Sequence, residues 1–595
     1  RSAYTKARIF PGLVDASEPR LTDAKFTLDL NFVDQTSENL RIKVAPRPQF
    51  STGYYAAPGE LIKLIVPEGV NGLSMQIGGH TDNLAGKAVL LRDPLIFTVK
   101  ALHPGVNYIR NLYGGTIYIK ASFAIPQPVE FTISGACVSP DFILNESNHA
   151  EWKARILASK VPWLELRSKY VIFLVPRDKI IAQFTNATEP LNDMELPLKL
   201  WADVFKFDFN GWMGLSDDAP DVLDRSPQGA WRGVLDIQLS AGYGHAGFPF
   251  VGYNDSEWFG GFTSAKRLTT SELTWGAYHE FGHNCQQSAV WSWSTLGETT
   301  NNLFNFKVAK RINANYLNLH ENIPGSFAKS ITWASSAIGA RNFDNLGDPV
   351  MENDPFARMT PFIQIFELYG YNAMTHLYTE ARHAKRLANN DQDKRDFVYE
   401  KLSEYTATDL IAFFKAWGIV VSSLSQDRIG AKFPYLTKQI WTYNPITKTG
   451  GTGVVQSPFP EIRSVSSNAA NEGSPNNLLD GNTATFWISN TTPPSNQFPI
   501  SVELTLGRIP TPIKGFTITQ RNAGSANPKT LEIFLSSDGS NYTSAGTFVA
   551  QNVRTKQDFN FAGGTKTARY IKLVIKDIYS TNVFVAMSEF NVIKP

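Results

Sequence analysis

Two histidines one helical turn apart govern how this chain is interpreted. His279 and His283 stand four positions apart in the sequence His-Glu-Phe-Gly-His. On an α-helix their imidazoles project from one face and can reach a single zinc ion. Glu280 is turned away from that face by about 100°, so it can act on a water molecule instead of binding the metal. We therefore predict that residues 269–290 form a helix that carries a zinc site and a catalytic base.

The predicted helix has its own start signal and its own apolar face. Residues 269–272 read Thr-Thr-Ser-Glu, which is typical of a capping box. Apolar side chains follow at helical spacing, at Leu273, Ala277, Phe281 and Cys285. These signals predict a rigid geometry for the two histidines.

Glu298 is the candidate third zinc ligand. It stands fifteen residues after His283, in Gly-Glu-Thr-Thr-Asn-Asn, and a helical pattern covers residues 297–312. On such a helix Glu298 shares a face with Asn302, which can then orient one of the histidines. Two histidines and one glutamate leave the fourth position of zinc open, as in catalytic sites, whereas structural zinc sites are closed. We expect one zinc ion per chain.

This set of residues predicts hydrolysis of a peptide bond. Glu280 would take a proton from the attacking water and pass it to the leaving amine. Another side chain would stabilise the oxyanion that develops on the substrate. The sequence does not choose among the candidates for that role, which are His245, Tyr316 and His320.

The order of local patterns predicts a multidomain α+β chain, as the length of 595 residues also does. Residues 1–140 show short β runs broken by glycine pairs, which predicts an N-terminal β-sandwich. Residues 141–455 show strands followed by longer helices, and a Gly-rich linker lies near residue 450. Residues 456–595 again show short alternating strands and are predicted to form a C-terminal β-sandwich.

The net charge and the hydropathy of the chain argue against two classes of protein, those that bind nucleic acid and those that span a membrane. The chain has 56 Lys and Arg against 54 Asp and Glu, a net charge of +2, which argues against nucleic acid as a partner. No apolar run approaches the roughly 18 residues of a transmembrane helix.

The two cysteines, Cys137 and Cys285, are too few for a disulfide framework. They are predicted to be two buried thiols, with one bridge as the alternative. The start at Arg1 suggests a processed piece of an exported product, whose export signal this sequence does not contain.

The residues around the predicted zinc site resemble those of a known family, the enhancin-like or mucin-targeting zinc metallopeptidases of family M60, within the gluzincins. The likeness rests on His-Glu-Phe-Gly-His with Glu298 in Gly-Glu-Thr-Thr-Asn-Asn and on the flanking Trp275-Gly276, Asn284 and Gln286. It extends to residues 236–249, which look like the edge strand and loop beside the family's cleft, and to residues 76–84 and 113–119 of its N-terminal sandwich. The resemblance implies a thermolysin-like catalytic domain with a helical C-terminal subdomain. It also implies an extracellular or cell-surface protease of bacteria, or of insect viruses, that acts on mucin-type O-glycoproteins.

The C-terminal region resembles the discoidin or factor five/eight type C fold, a galactose-binding-like jelly roll that includes carbohydrate-binding module family 32. The matching stretches are residues 479–487, 536–542, 568–573 and 588–590. By this resemblance Asp480, Asn482 and Glu589 would hold a structural calcium ion, for which oxygen ligands are suited. Arg521 and Asn522 are candidates for glycan binding, and Trp487 is expected in the core.

The leading hypothesis is a secreted zinc endopeptidase that recognises an O-glycan beside the scissile bond of mucin-type proteins, with the C-terminal domain binding further glycans. Candidate residues for the sugar pocket, chosen by nearness in sequence to the zinc helix or the edge strand, are Trp275, Tyr253, Asn254 and Trp258. Two alternatives stay open. One is a general gluzincin endopeptidase without a glycan requirement, and the other is a glycan-binding adhesin whose peptidase domain is inert.

Overall fold

The computed structural model describes residues 5–270, 274–336, 341–351, 354–492, 497–521 and 526–595. They form two compact units. The first holds the described residues up to Lys401 together with Ala416–Val420 and Trp441–Gly451. The second holds Leu402–Lys415, Val421–Ile440 and the described residues of Thr452–Pro595.

The first unit begins with a β-sandwich of two sheets. Alternation of side chains creates its core: in Leu61–Val66 the residues Ile62, Leu64 and Val66 point inward and are buried. The strand orders are β1-β8-β3-β6 and β5-β4-β7-β2-β9. The strands are β1 Ala24–Leu28, β2 Gln49–Ala56, β3 Leu61–Val66, β4 Leu73–Ile77, β5 Thr98–Ala101, β6 Gly105–Arg110, β7 Gly115–Ala121, β8 Val129–Ser134 and β9 Cys137–Val138, with the short helix α1 at Ser37–Leu40.

A mixed six-stranded sheet follows in the same unit, in the order β10-β11-β12-β13-β15-β14. Its strands β12, β13 and β15 are parallel neighbours, and β14 pairs antiparallel with β15 at the end of the sheet. The edge strand is therefore β14 at Gly244–His245, whereas Asp236, expected on the edge strand, ends the inner strand β13. The strands are β10 Phe142–Ile143, β11 Trp163–Arg167, β12 Val171–Pro176, β13 Trp231–Asp236, β14 Gly244–His245 and β15 Phe250–Tyr253.

Helices dominate the chain from residue 149 to residue 430. They are α2 His149–Ala158, α3 Arg177–Phe184, α4 Glu195–Asp203, α5 Ser256–Thr263, α6 Ala265–Thr270, α7 Trp275–Asn284, α8 Leu303–Ile312, α9 Ile323–Ser335, α10 Pro355–Tyr369, α11 Asn372–His383, α12 Asp391–Thr406, α13 Ile411–Ala416 and α14 Ser423–Gly430. A π-helical segment, Val204–Asn210, continues α4.

Both helices predicted around the zinc site are shorter than expected. The first is α7, which starts at Trp275 without a side-chain cap and ends at Asn284. The predicted capping box does not start it, because Thr269 and Thr270 end α6 and their hydroxyls donate to carbonyls within that helix. Ser271, Glu272 and Leu273 lie outside the described residues. The second is α8, which starts at Leu303, so Glu298 stands on the turns before it.

The C-terminal part of the second unit is a β-sandwich. A five-stranded sheet β16-β18-β25-β21-β22 and a four-stranded sheet β17-β26-β20-β23 enclose a core that includes Trp487, and β19 pairs with β24. The strands are β16 Glu461–Val465, β17 Trp487–Ile488, β18 Ile500–Thr505, β19 Thr511–Ile513, β20 Gly515–Gln520, β21 Thr530–Ser536, β22 Thr543–Val549, β23 Gln557–Asn560, β24 Lys566–Ala568, β25 Tyr570–Ile575 and β26 Ala586–Ile593.

The predicted architecture is confirmed: N-terminal sheets, a helix-rich middle with its own sheet, and a C-terminal sheet domain. Cys137 and Cys285 are free and buried, as predicted. Within the described ranges, no helix has both the length and the apolar character needed to span a bilayer. The boundaries at residues 140 and 455 stay predictions.

Candidate active site

His279, His283 and Glu298 converge on one point. Glu298 Oε2 lies 3.4 Å from His279 Nε2 and 3.2 Å from His283 Nε2. One ligand atom from each of the three residues lies within 4.8 Å of the others. The helix α7 supplies both histidines from adjacent turns, and the turns before α8 bring Glu298 to them. The structure thus brings the three predicted ligands together.

Amide oxygens hold the far nitrogen of each histidine ring. His279 Nδ1 lies 2.8 Å from Asn302 Oδ1, and His283 Nδ1 lies 3.1 Å from Gln286 Oε1. An amide oxygen can only accept, so each Nδ1 donates its proton to that oxygen, and each Nε2 faces Glu298. Asn302 takes this orienting position even though it stands on a turn, where its Nδ2 also donates to the Glu298 carbonyl at 2.8 Å.

Gln286 joins the helix α7 to the segment that carries Glu298. Its Nε2 donates to the carbonyl of Gly297 at 2.8 Å and to the hydroxyl of Thr300 at 2.8 Å. Its Oε1 accepts from Lys43 Nζ at 2.6 Å as well as from His283. Burial lowers the pKa of Lys43, and the charge of Glu298 opposes this. No local pattern marks Lys43, because it stands 243 positions before Gln286.

His283, Glu298 and Glu280 have pKa values that their surroundings shift. The hydrogen bond from His283 lowers the pKa of Glu298. Burial opposes protonation of His283, but hydrogen bonds to Glu298 and Gln286 raise its pKa. Burial raises the pKa of Glu280, against the opposing charges of His279, His283 and His245. A carboxyl group with a raised pKa is suited to accept and release a proton.

Of the three oxyanion candidates, His245 is the one with an electrostatic interaction with Glu280. It lies on the edge strand β14, and its Nε2 is 3.0 Å from Asp82 Oδ2. Tyr316 instead hydrogen-bonds Glu367 and Tyr371 at 2.8 Å and 2.7 Å. His320 packs against aromatic rings, 4.5 Å from Phe356 between centroids. Both therefore have structural partners of their own.

The glycan candidates are distributed over several places. Tyr253 ends β15 with 40% of its surface exposed, and its ring lies 6.1 Å from that of the exposed Tyr243. Asn254 and Trp258 are less accessible: the Asn254 side-chain oxygen is buried, and the Trp258 indole packs on Gly252. Trp275 packs against His320 at a centroid distance of 5.2 Å. Tyr253 is thus the most exposed of these four candidates, and their role in glycan binding stays a prediction.

In the second unit, Arg521 stacks 3.4 Å above the ring of Phe486, and Asn522 lies outside the described residues. The calcium candidates lie together. Asp480 accepts from the backbone N–H of Asn482 at 2.8 Å, and burial together with Asp480 raises the pKa of Glu589 to about 7. One Glu589 oxygen is buried without a hydrogen-bond partner. Two carboxyl groups, one of which has an unpartnered oxygen, are a donor set that fits a hard cation.

A second cluster of possible metal ligands fits a cation less well. Asp221, Asp224 and His383 lie within reach of one ion. Arg382, however, donates to Asp224 Oδ1 from Nε at 2.9 Å and from its terminal nitrogen at 2.5 Å. The guanidinium already neutralises this carboxylate. Among the described residues, no such cation lies within hydrogen-bond distance of the ligand atoms of His279, His283 and Glu298.

Three comparisons describe the relatives of this chain. TRPM8 channel-associated factor 1 from Homo sapiens is 29% identical over 403 residues, which cover 66% of this chain and 40% of that protein. The chain thus spans about two-fifths of the length of this curated relative. Among solved structures, the ZmpB metallopeptidase from Clostridium perfringens is 16% identical with a TM-score of 0.56, covering 92% of this chain and 100% of that one. The IMPa metallopeptidase in complex with T-antigen is 19% identical with a TM-score of 0.55, covering 73% and 53%. These structural likenesses concern the fold.

Family models account for most of the chain. Residues 23–134 match the N-terminal domain of M60-like peptidases, and residues 135–418 match peptidase M60, enhancin and enhancin-like. Residues 462–590 match the F5/8 type C domain. By these matches the chain belongs to the enhancin-like M60 peptidases and carries an F5/8 type C domain.

Proposed function

We propose that this chain is an extracellular or cell-surface zinc endopeptidase that cleaves O-glycosylated proteins next to a glycan. One observation carries the peptidase part of the proposal. His279, His283 and Glu298 converge at the spacing of a metal site, with the carboxyl group of Glu280 beside them. A domain without activity has no chemical need for that carboxyl group.

The metal would be held by His279 and His283 through Nε2 and by Glu298 through a carboxylate oxygen. The donor set of two imidazoles and one carboxylate suits zinc and leaves an open position. When bound there, zinc supplies a Lewis acid for the scissile carbonyl and makes water more acidic. The orientation of each ring by Asn302 and Gln286 favours Nε2 as the ligand atom.

Glu280 would act as the proton carrier. Burial raises the pKa of its carboxyl group, which brings proton uptake closer to neutral pH. It would take a proton from the attacking water and then give it to the nitrogen of the leaving amine. His245 would stabilise the negative charge that develops on the scissile carbonyl oxygen, because it lies on the strand beside α7 and is coupled electrostatically to Glu280.

The substrate would lie along the edge strand. β14 ends the six-stranded sheet, so an extended peptide can pair with its outer edge. Tyr243, which directly precedes β14, and Tyr253, which ends the neighbouring strand β15, expose 53% and 40% of their surface. Exposed tyrosine rings offer apolar faces on which a sugar can stack, while sugar hydroxyls find polar partners.

Two further observations support a glycan beside the scissile bond. A metallopeptidase with the same fold has been solved in complex with T-antigen, and this chain carries an F5/8 type C domain. A glycan-binding C-terminal domain would raise the local concentration of glycoprotein substrate by tethering. In that domain Asp480, Asn482 and Glu589 would hold calcium.

The decisive experiment uses two peptides that differ only in one GalNAc on a Ser or Thr. Products are located by mass spectrometry, with the Glu280→Gln variant as the inactive control. The proposal expects cleavage of the glycosylated peptide next to the modified residue and little cleavage of the bare peptide, because sugar binding orients the peptide bond for attack. Equal cleavage of both peptides would favour a general endopeptidase.

Cleavage of neither peptide, together with glycan binding, would favour the adhesin alternative. That alternative receives some support from the relatives named as channel-associated factors, whose name describes association. The Glu280 side chain argues for the enzyme, since binding alone requires neither the base nor the convergent ligands.

A further inference from the structure

Asp82 belongs to the N-terminal β-sandwich, yet its carboxylate lies against the active site. It follows β4 on the loop that leads to β5. Its Oδ2 lies 3.0 Å from His245 Nε2 and accepts from the backbone N–H of Ser240 at 2.6 Å. The side chain of Asp82 is only 7% exposed. Two segments that are 163 positions apart thus meet at one carboxylate.

A buried ion pair fixes the loop that carries Asp82. Arg92, at the other end of this loop, donates to both oxygens of Asp236 at 2.7 and 2.9 Å, and their side chains are 1% and 0% exposed. The same guanidinium donates to the backbone carbonyl of Asp82 at 3.0 Å. Asp236 ends β13, two strands from the edge strand that carries His245. The position of Asp82 is therefore set by the core of the catalytic sheet.

Both nitrogens of His245 face acceptors. Nε2 faces the Asp82 carboxylate, and Nδ1 lies 3.0 Å from the carbonyl oxygen of Ala246. Since neither oxygen can donate, this environment is satisfied when both nitrogens carry a proton. The groups that face the ring are Asp82, the Ser240 hydroxyl at 3.3 Å, the Ala246 carbonyl and, electrostatically, Glu280. Burial alone would lower the pKa of His245, but these hydrogen bonds outweigh burial and raise it.

We infer that Asp82 is a positioning residue for hydrolysis: it holds the His245 ring as a cation next to Glu280, so that the N-terminal domain completes the active site of the catalytic domain. This inference rests on the proposed peptidase function. It gives the M60-like N-terminal domain a part in the reaction beyond that of a neighbouring support. Asp82 acts through His245, whose positive charge would stabilise the oxyanion that develops on the substrate.

The test compares Asp82→Asn and Asp82→Ala in the full chain. Asparagine keeps an acceptor for Ser240 and removes the charge, so it separates the electrostatic effect from loss of the loop contact. Gln238→Ala is the matched control: Gln238 joins the same two segments through Leu91 N–H and the Val89 carbonyl, both at 2.7 Å, without touching His245. Zinc content and melting temperature are measured for every variant.

On the peptide that the wild type cleaves, we expect Asp82→Asn to lower kcat by about 10- to 100-fold, the usual range for an orienting partner, with little change in KM. Gln238→Ala should stay near wild-type kcat. Adding Asp82→Asn to His245→Ala should cause no further loss, because the two residues act as one unit. A multiplicative loss in the double variant, or an equal loss in Gln238→Ala, would overturn the inference.

A second readout does not depend on activity. The imidazole of His245 is followed by NMR titration of histidine-labelled protein, with the resonance assigned by its absence in His245→Ala. The inference expects Asp82→Asn to shift the titration of His245 to lower pH. An unchanged titration would refute it. If the wild type cleaves no peptide while this shift is seen, the peptidase proposal fails and the pairing of Asp82 with His245 stands.

Discussion

Gly282 faces the backbone of Asn301 so closely that a β-carbon on residue 282 would lie 2.2 Å from the Asn301 carbonyl oxygen. No side chain fits at that distance without displacement of backbone. The segment that holds Glu298, Asn301 and Asn302 can therefore approach the histidine-bearing face of α7 only because residue 282 is a glycine. The glycine inside the His-Glu-Phe-Gly-His motif is a packing requirement of the proposed metal site.

Gly282→Ala is accordingly expected to push Glu298 and Asn302 away from the histidines and to weaken zinc binding by about 10- to 100-fold. Zinc affinity is measured by competition with a chelator. The control is Gly261→Ala on α5, where a β-carbon meets nothing within 4 Å. That variant should bind zinc normally. Equal zinc affinity for Gly282→Ala and the wild type would contradict the packing argument.

Metal analysis distinguishes the two candidate ligand clusters. We expect one zinc per purified chain, lost in His279→Ala and in His283→Ala because each removes one of three ligands. His383→Ala is the matched control from the cluster with Asp221 and Asp224, where Arg382 already pairs with the carboxylate. It should keep its zinc. Zinc that persists after both active-site histidines are replaced would rule out the assignment.

Glu280→Gln should abolish turnover and leave zinc in place. The amide keeps the size of the side chain but cannot accept a proton from water, so we expect kcat to fall by at least about 100-fold. Steady-state kinetics are measured on the glycopeptide that the wild type cleaves, and the zinc content of the variant is measured as well. Activity within a few-fold of the wild type would mean that another group carries the proton.

Local spacing in the sequence was sufficient to predict part of the candidate site. His279 and His283 are four positions apart, and any helix through them brings the rings together, even though α7 is shorter than predicted. Glu298 stands close in sequence, but its placement depends on Gln286 and on the glycine at 282 rather than on the helix expected there. That helix begins only at Leu303, because tertiary hydrogen bonds shape the turns before it.

Residues that come from remote segments could not be predicted. Asp82 and Lys43 contact partners more than 160 positions away, and no local pattern assigns either to the site, since residues 76–84 resemble only part of the N-terminal sandwich. Tyr316 shows the opposite case: it lies near α7 and α8 in sequence, yet its hydroxyl hydrogen-bonds Glu367 and Tyr371. The sheet domains at both ends were predictable since alternation and turn residues are local signals.

The last prediction concerns the pair Asp480 and Glu589 in the C-terminal domain. Burial and the neighbouring Asp480 raise the pKa of Glu589 from 4.5 to about 7 in the folded protein. Between these pH values the folded state binds more protons than the unfolded state, so the stability of this domain should fall as pH rises from about 5 to 8. Calcium should reverse the loss at pH 8, where both carboxylates are ionised and can bind the cation.

Thermal unfolding of the full chain is followed at pH 5 and pH 8, with calcium and with a chelator. Glu589→Gln should lose both the pH dependence and the calcium effect, whereas Glu461→Gln, an exposed position on β16, should keep them. A calcium-dependent rise in melting temperature that survives Glu589→Gln would place the cation elsewhere.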